Sequence, residues 1–510
     1  MKLIKNIQMP ISKQLDVQAV VSKKLQISSS HIENLQILRR SLDARKKNSL
    51  KYNFTAIAEL PQVNHPDVLE YTPPQPHLQE CFHCPSKNPY IVGAGPAGLF
   101  AALALCEKGY EPYIFERGDK IEVREEKVRK FWQNGILDPE SNVQFGEGGA
   151  GTFSDGKLTA RNRDYYTNQI FSLLVKFGAP YDIKIDAKPH LGTDRLKFII
   201  TNIRKYLQEK GCHFYWKHKL ENITIKNNKL TALTINNEQH KPACAILALG
   251  NAARDTFSEL KNYLHIVAKP FSVGVRIEHQ QSFINASFYG NKTDFSLTGP
   301  AIYRLTSKYK DRGIYSFCMC PGGIIIAATN QINTIVTNGM SYSNRPGKLA
   351  NSAIVVTVSP ADFGSSAVAG IEFQEKIEKT AFNAELPYFA PVQKASAYLT
   401  EVIPNKIETS YLPGTYSRNL NNIFPSFINS ALKSALKKFD NRYPGFLKYG
   451  TLIAPETRTS SPVRFLREKN SFLCQDKTNV FVIGEGSGYA GGIISSAADG
   501  YKLGNTFRTK

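Results

Sequence analysis

Residues 89–118 read PYIVGAGPAGLFAALALCEKGYEPYIFERG. Tyr90, Ile91 and Val92 predict a short buried strand. Gly93, Gly95 and Gly98 then form G-x-G-x-x-G at the start of an apolar helix, which Gly109 closes. A second strand over 112–115 ends in Glu116. Each position has a physical task in such a unit. Gly93 makes the tight turn, Gly95 lets the backbone approach a pyrophosphate, and Gly98 lets helix lie on strand. Pro96 and Ala97 open the helix, whose free N–H groups and positive dipole end favour phosphate. Glu116 is placed to accept hydrogen bonds from ribose hydroxyls, and Arg117 follows it at the same edge. Strand, helix and acid coincide at the right distances, so the segment is predicted to bind FAD or NAD.

Three further segments favour FAD. Residues 144–158, QFGEGGAGTFSDGKL, carry Gly146, Gly148, Gly149, Gly151 and Gly156. Five glycines exclude a stable helix and suit a backbone lying against a flat ligand. Residues 243–250, ACAILALG, predict a buried strand ending in Gly250. In residues 479–500, NVFVIGEGSGYAGGIISSAADG, a strand runs into Gly484, Glu485 and Gly486, and a helix starts near Gly491. No second nicotinamide domain is marked, so NAD(P)H is expected only as a transient co-substrate at the flavin face.

Flavoproteins of the glutathione-reductase type are similar in having a dinucleotide loop at one end of the domain and a strand, acid and helix at the other. That resemblance implies that Glu485 holds ribityl hydroxyls and that the N–H groups of Gly491, Gly492 and Ile493 face the flavin O2 region. Taken together, GAGPAGLFAA, FGEGGAGTFSDGKL, FSVGVRIEH (271–279), PETRTSSPVRF (455–465) and GEGSGYAGGIISSAADG resemble one family, the bacterial FAD-dependent dehydrogenases, also described as NAD(P)/FAD-dependent oxidoreductases. The resemblance runs from the N-terminal ILRRSLDARKK (37–47) to the C-terminus. It implies an α/β fold: a Rossmann-like FAD-binding domain of glutathione-reductase type, an inserted β-rich α+β substrate domain and a small N-terminal α+β domain. It supplies no substrate. Glu485 stands where related flavoproteins often have Asp.

Outward from these motifs, a chain of 510 residues has room for two to four domains. The expected division is 1–61 (small N-terminal domain), 62–88 (linker), 89–268 (first part of the FAD-binding domain), 269–450 (inserted substrate domain) and 451–510 (its C-terminal part). In the N-terminal unit, 17–25 has helical spacing. Ser29 or Ser30 is predicted to cap a second helix through His31, Leu35 and Leu38 to about Lys46, and 52–60 alternates as a strand. Later strands are predicted at 243–249, 271–277, 323–328, 353–358 and 480–483, with helices at 169–177, 195–209 and 373–381. Such alternation argues a parallel sheet.

Lys and Arg number 64 against 43 Asp and Glu, giving +21. That balance favours anionic partners: nucleotide cofactors, a small acidic substrate, nucleic acid or an anionic membrane face. The longest apolar runs fall far short of the about 20 residues of a spanning helix, and the N-terminus lacks an apolar signal core. Eight cysteines suit a reducing compartment, so the expected location is cytoplasmic. Cys81 and Cys84 form a CxxC, read as surface linker residues rather than zinc ligands. No metal site is expected.

Beside the flavin the candidates are few. Lys157 lies near the flavin or its phosphates, or is a solvated lysine. Arg276 shares a strand face with Gly274 and Glu278, where it pairs with Glu278 or reaches an acidic substrate. Cys318 and Cys320 share a face as i and i+2 of a strand, but at about 6.6–6.8 Å they exceed disulfide reach in an extended chain. Arg458, Arg464 and Arg467 are candidates for an anionic substrate or the FAD pyrophosphate, or are surface arginines. The leading reading is a hydride-transferring FAD oxidoreductase of a small substrate. An RNA-modifying flavoprotein, suggested by charge, and a non-catalytic flavin sensor or scaffold stand beside it.

Overall fold

A computed structural model describes residues 1–12, 14–159, 163–402 and 407–510. At its centre is a five-stranded, wholly parallel sheet. Its order is Val480–Val482, Ala245–Leu247, Tyr90–Val92, Tyr113–Glu116, His213–Trp216. The nucleotide-loop strand is therefore central, flanked by the strand that ends in Glu116 and by Ala245–Leu247, which stops three residues before Gly250. The helix Pro96–Glu107 is buried from Ala97 to Leu105, and the C-terminal helix Ile493–Thr506 lies directly on it. Close approach depends on Gly500 and Gly504, where a Cβ would come within 1.9 Å of Ala97 O and 2.5 Å of Ala104 Cβ. Helix and sheet are joined by one apolar cluster that includes Leu99, Leu103, Leu105, Ile114, Ile246 and Phe481. Burial of each such side chain contributes about 1.5–3 kcal/mol.

The second sheet has seven strands in the order Thr306–Tyr309, Arg312–Cys320, Leu349–Val358, Phe271–Gln280, Thr451–Glu456, Ala390–Lys394, Thr415–Ser417. All neighbours are antiparallel except the last pair. Phe271–Gln280 is buried on both faces up to its final residue, so that Val273, Val275 and Ile277 pack on one side while Arg276, Glu278 and His279 are buried as polar groups that need partners. The helix Ser426–Arg442 covers this sheet with Ile428, Leu432, Leu436 and Phe439. Thr451–Glu456, beyond residue 450, belongs to this sheet.

The N-terminal unit is a four-stranded antiparallel sheet in the order Glu33–Asp43, Lys51–Glu59, Lys2–Pro10, Val68–Glu70. The helix Val17–Leu25 is present, capped by Asp16, and buries Val17, Val21 and Leu25. The second helix predicted through His31 to Lys46 is absent: a short 3₁₀ turn, Ser29–His31, leads into the strand Glu33–Asp43. Two register shifts, between Glu33 and Gln36 and between Ile37 and Arg39, insert extra residues into the pairing. They break the period-two alternation and leave an i, i+3 spacing that mimics a helix. The unit is fastened to its neighbours. Arg40 N donates to Ile185 O at 2.7 Å, Arg40 Nε to Asp186 at 2.7 Å, and the Tyr52 hydroxyl to Leu297 O at 2.8 Å.

Residues 62–88 are no loose tether. Val68–Glu70 pairs with Lys2–Pro10, and the Cys81 and Phe82 N–H groups donate to Thr506 O at 2.8 and 3.1 Å. Cys84, expected at the surface, is fully buried, its sulfur 3.3 Å from Cys244 Sγ; Cys81 is exposed. Among the described residues no helix is long and apolar enough to cross a membrane.

Candidate functional site

The turn after Tyr90–Val92 has the geometry that its glycines imply. Gly93 has φ 111°, and a Cβ there would come within 2.5 Å of Ala248 O. At Gly98 a Cβ would come within 1.9 Å of Gly93 O, so this glycine lets the helix start against the strand. Gly95 differs: its φ is −78°, and the nearest atom to a Cβ would be Gly149 Cα at 3.9 Å. The fold does not require glycine at 95, but a ligand lying across the helix N-terminus does.

Glu116 is buried, and its carboxylate gathers backbone donors. Ala94 N–H reaches Oε2 at 2.9 Å, while Gly118 and Gly146 N–H reach Oε1 at 3.0 and 2.9 Å. A carboxylate offers about four acceptor positions, so one is left for a ribose hydroxyl. Arg117 is committed elsewhere. Its guanidinium holds Asp255 at 2.9 and 2.9 Å and Glu140 at 2.7 Å, and lies 3.9 Å over the Phe145 ring.

The glycine-rich segment 144–158 is a buried loop with a 3₁₀ turn, Gly149–Phe153. A residue that the sequence did not single out shapes it. Arg124 is wholly buried and donates to Asn142 O at 2.8 Å, Glu147 O at 2.6 Å and Val143 O at 3.0 Å. Gly146 is required by this clamp, since a Cβ there would come within 2.4 Å of Arg124 Cδ. Gly148 N–H donates to Ala94 O at 2.8 Å, tying the loop to the nucleotide turn. At Gly151 a Cβ would come within 2.9 Å of Ile493 Cγ1, at the start of the C-terminal helix. Glu147, buried beside Arg124 and Arg204, is pushed up to about 7 by burial.

At the far end, Gly484 (φ 80°) lies against Ala97, and Glu485 accepts from Asn251 Nδ2 at 3.0 Å and from the Gly492 N–H. Burial raises the Glu485 carboxyl to about 7. Gly491 N–H donates to Ser495 Oγ at 3.0 Å. Both N–H groups, expected to face a flavin, thus have partners within the chain. Gly491 and Gly492 are nevertheless exposed, and a Cβ at Gly250, Gly491 or Gly492 would meet nothing within 4 Å.

Between the two ends lies a charged cluster. Lys157 Nζ donates to Asp155 at 2.5 Å and to Met319 O. Asp155 also accepts from Ser341 Oγ at 2.6 Å, with His190 and Arg345 each 3.7 Å away. Burial, the largest influence on Asp155, would raise its pKa, but Lys157, Arg345 and His190 overcome it and hold the carboxyl at about 2. Arg276 does not pair with Glu278. It forms a bidentate bridge to Glu456 at 2.8 and 2.8 Å and donates to Asn351 Oδ1 at 2.7 Å, while Glu278 accepts from Ser410. Arg276 is completely buried. The register explains this: position 276 lies opposite Ile453, beside a shift in the pairing that brings Glu456 within reach.

The three late arginines separate. Arg458 is held by Glu378, Asn330 and Gln331, and Arg467 by Asp499. Arg464 lies over the Tyr489 ring at 5.1 Å and contributes, with Glu485, to the charge around Lys269. Asp155 and Arg124 were missed in the sequence. Asp155 left a trace, an acid two residues from a lysine inside a glycine-rich loop; Arg124 lies in an ordinary-looking amphipathic helix. Among the described residues no cluster of His, Cys, Asp and Glu is arranged to hold a metal.

These residues fit a dinucleotide flavin. Glycine faces at 250, 491 and 492 are open, Glu116 keeps a spare acceptor, and Gly95 is unobstructed. Comparisons with known protein families agree with that fit. The model of the FAD-dependent protein C-terminal domain-like family matches residues 270–459, an NAD(P)-binding Rossmann-like domain matches 91–132, and a domain of unknown function matches 1–59. A protein from Clostridium beijerinckii, described as uncharacterized, is 41% identical and covers 98% of this chain and 97% of its own. Among solved structures, CtdE in complex with FAD is 12% identical with a TM-score of 0.30, covering 82% of this chain and 83% of its own. L-proline dehydrogenase from P. horikoshii is 9% identical with a TM-score of 0.37, covering 83% and 93%.

Proposed function

Since the chain belongs to the same family as the Clostridium beijerinckii protein, a family of FAD-dependent proteins, we propose that it is an oxidoreductase acting on a small, anionic substrate. Bound FAD would accept or donate a hydride, with NAD(P)H as a transient co-substrate. The observation that carries this reading is the pair of ionisable groups beside the glycine segments: Lys157, which ends the glycine-rich loop and holds Asp155 and Met319 O, and Glu485, which accepts the Gly492 N–H at the exposed start of Ile493–Thr506.

The chain's own groups divide the work. The N–H groups of Gly95, Ala97 and Gly98 at the helix start offer a positive end to phosphate, and Glu116 receives the ribose. Glu485, with its carboxyl near neutrality, accepts or donates hydrogen bonds to polyol hydroxyls. Lys157, anchored by Asp155, presents a fixed cation to an acidic substrate without a large reorganisation. Anaerobic addition of NADH and then NADPH to the FAD-loaded protein tests the reading. Bleaching of the flavin by either nucleotide is expected, followed by reoxidation with an acidic organic acceptor. A flavin that stays oxidised with both would remove the nicotinamide donor from the account.

A further inference from the structure

The strand Arg312–Cys320 is not regular at its end. Phe317 lies opposite Ala353 and Cys320 opposite Asn351, so Cys318 and Met319 together face Ser352, and Cys318 has φ 48°. This bulge overturns the extended-chain spacing expected for the two thiols. Cys320 Sγ lies 3.2 Å from the Cys318 carbonyl oxygen, so the buried thiol turns back onto the backbone of the other cysteine. We propose that Cys318 and Cys320 form a redox-active dithiol that carries an electron pair between the flavin and an external disulfide, a role that rests on the flavin reading above.

The surroundings suit an attacking and a resolving thiol. Cys318 is partly exposed, and Cys320 is fully buried. Lys157 donates to Met319 O, between them, and Arg276 Nη1 to Cys318 O at 3.3 Å. Gly339 leaves room for the Cys320 sulfur, which a Cβ there would approach to 2.7 Å. The neighbouring Cys320, with Lys157 and Arg276, draws the Cys318 thiol below its ordinary pKa, whereas burial and the neighbouring Cys318 raise Cys320. A lowered, accessible thiol attacks, and a raised one waits as thiol. The Lys157 contact to Met319 O joins the bulge to the end of the glycine-rich loop, the side on which the flavin is proposed to lie.

In the reaction the Cys318 thiolate attacks one sulfur of RSSR, forming Cys318–S–S–R and releasing RS⁻, which takes a proton. Cys320 loses its proton and attacks the Cys318 sulfur, forming the internal disulfide and releasing the second RS⁻, which is protonated in turn. Two electrons and two protons, delivered through the reduced flavin from a nicotinamide nucleotide, restore both thiols. The sum is RSSR + 2 e⁻ + 2 H⁺ → 2 RSH.

The test is an anaerobic dithionite titration of the full-length holoprotein after oxidation with oxidised glutathione, with maleimide labelling and peptide mapping of the same samples. Wild type is expected to take up about twice the reducing equivalents of Cys318→Ser, because the disulfide and the flavin each accept a pair. Peptide mapping of wild type, which needs no variant, should show Cys318 and Cys320 protected together when oxidised and labelled together when reduced. Cys320→Ser should trap glutathione on Cys318. Equal uptake by wild type and Cys318→Ser, or full labelling of both cysteines in oxidised wild type, would overturn the dithiol. Absence of a trapped glutathione on Cys318 would overturn the external disulfide. Dithionite reduces flavin directly, so these results are independent of whether NADH or NADPH bleaches it.

Discussion

Glu116 Oε1 accepts the Gly146 N–H at 2.9 Å, joining the end of the second nucleotide strand to the glycine-rich loop. One buried carboxylate thus organises three backbone segments, at 94, 118 and 146, around the place proposed for a ribose.

Replacing Glu116 by Ala removes the ribose acceptor and the anchor of that loop together. A hydrogen bond to a charged group contributes about 1.5–3 kcal/mol, so FAD affinity is expected to fall about 10–100-fold. Fluorescence titration of the apoprotein with FAD measures it, and unchanged affinity would move the ribose elsewhere.

Arg124→Met leaves three carbonyl oxygens of the glycine-rich loop without their buried donor. The expected cost is about 3–5 kcal/mol, seen as a lowered urea midpoint of the apoprotein. A loss below about 1 kcal/mol would mean that the loop finds other donors.

Glu485 gives a pH signature. Its carboxyl titrates near 4.5 unfolded and about 7 folded, so between those values the folded chain keeps a proton that the unfolded chain releases. Stability is therefore full below about 4.5, declines as pH rises to about 7, and then levels. Glu485→Gln should lose this part of the decline and keep the part that Glu147, also raised to about 7, contributes over the same range. Thermal melts of both apoproteins from pH 4 to 8 check it, and parallel curves would refute it.

Asp155 behaves oppositely. Its folded carboxyl is depressed to about 2 against 3.8 unfolded, so its contribution is present above 3.8 and is lost as pH falls through about 2. Lys157→Met removes the nearest cation from a buried carboxylate and is expected to cost about 3–5 kcal/mol at neutral pH. The difference from wild type should shrink on acidification. Urea unfolding at pH 7 and pH 3 compares the two, and a penalty that does not depend on pH would point to lost contacts of the lysine stem.

Four of the five strands of the parallel sheet were legible because their signals were local: strand, glycine turn, helix and acid within residues 89–118, an apolar run ending in Gly250, and a strand running into Gly484–Gly486; the edge strand His213–Trp216 carries no such signal and was not predicted. Gly93 and Gly98 lie where their spacing predicts. The strand Glu33–Asp43 was not legible, since its two register shifts are set by pairing with Lys51–Glu59. Arg276 was recognised as a strand-face charge, but its partner Glu456 lies 180 positions away and is selected by the register of a third strand. Arg124 was invisible for the same reason: its acceptors are carbonyls of a loop that no helix periodicity reports. The Cys318–Cys320 contact depends on a single bulge, which sequence spacing treats as a straight strand.

The most direct measurement compares the visible spectra of purified wild type and Gly95→Val, with circular dichroism on both. Gly95 has a backbone conformation open to valine and no atom nearer than 3.9 Å to its Cβ position, so the variant should fold while its side chain occupies the pyrophosphate site. The account expects a flavin spectrum from wild type and a folded, colourless variant that does not take up added FAD. A folded Gly95→Val protein with the full flavin spectrum of wild type would contradict the placement of the cofactor and the function built on it.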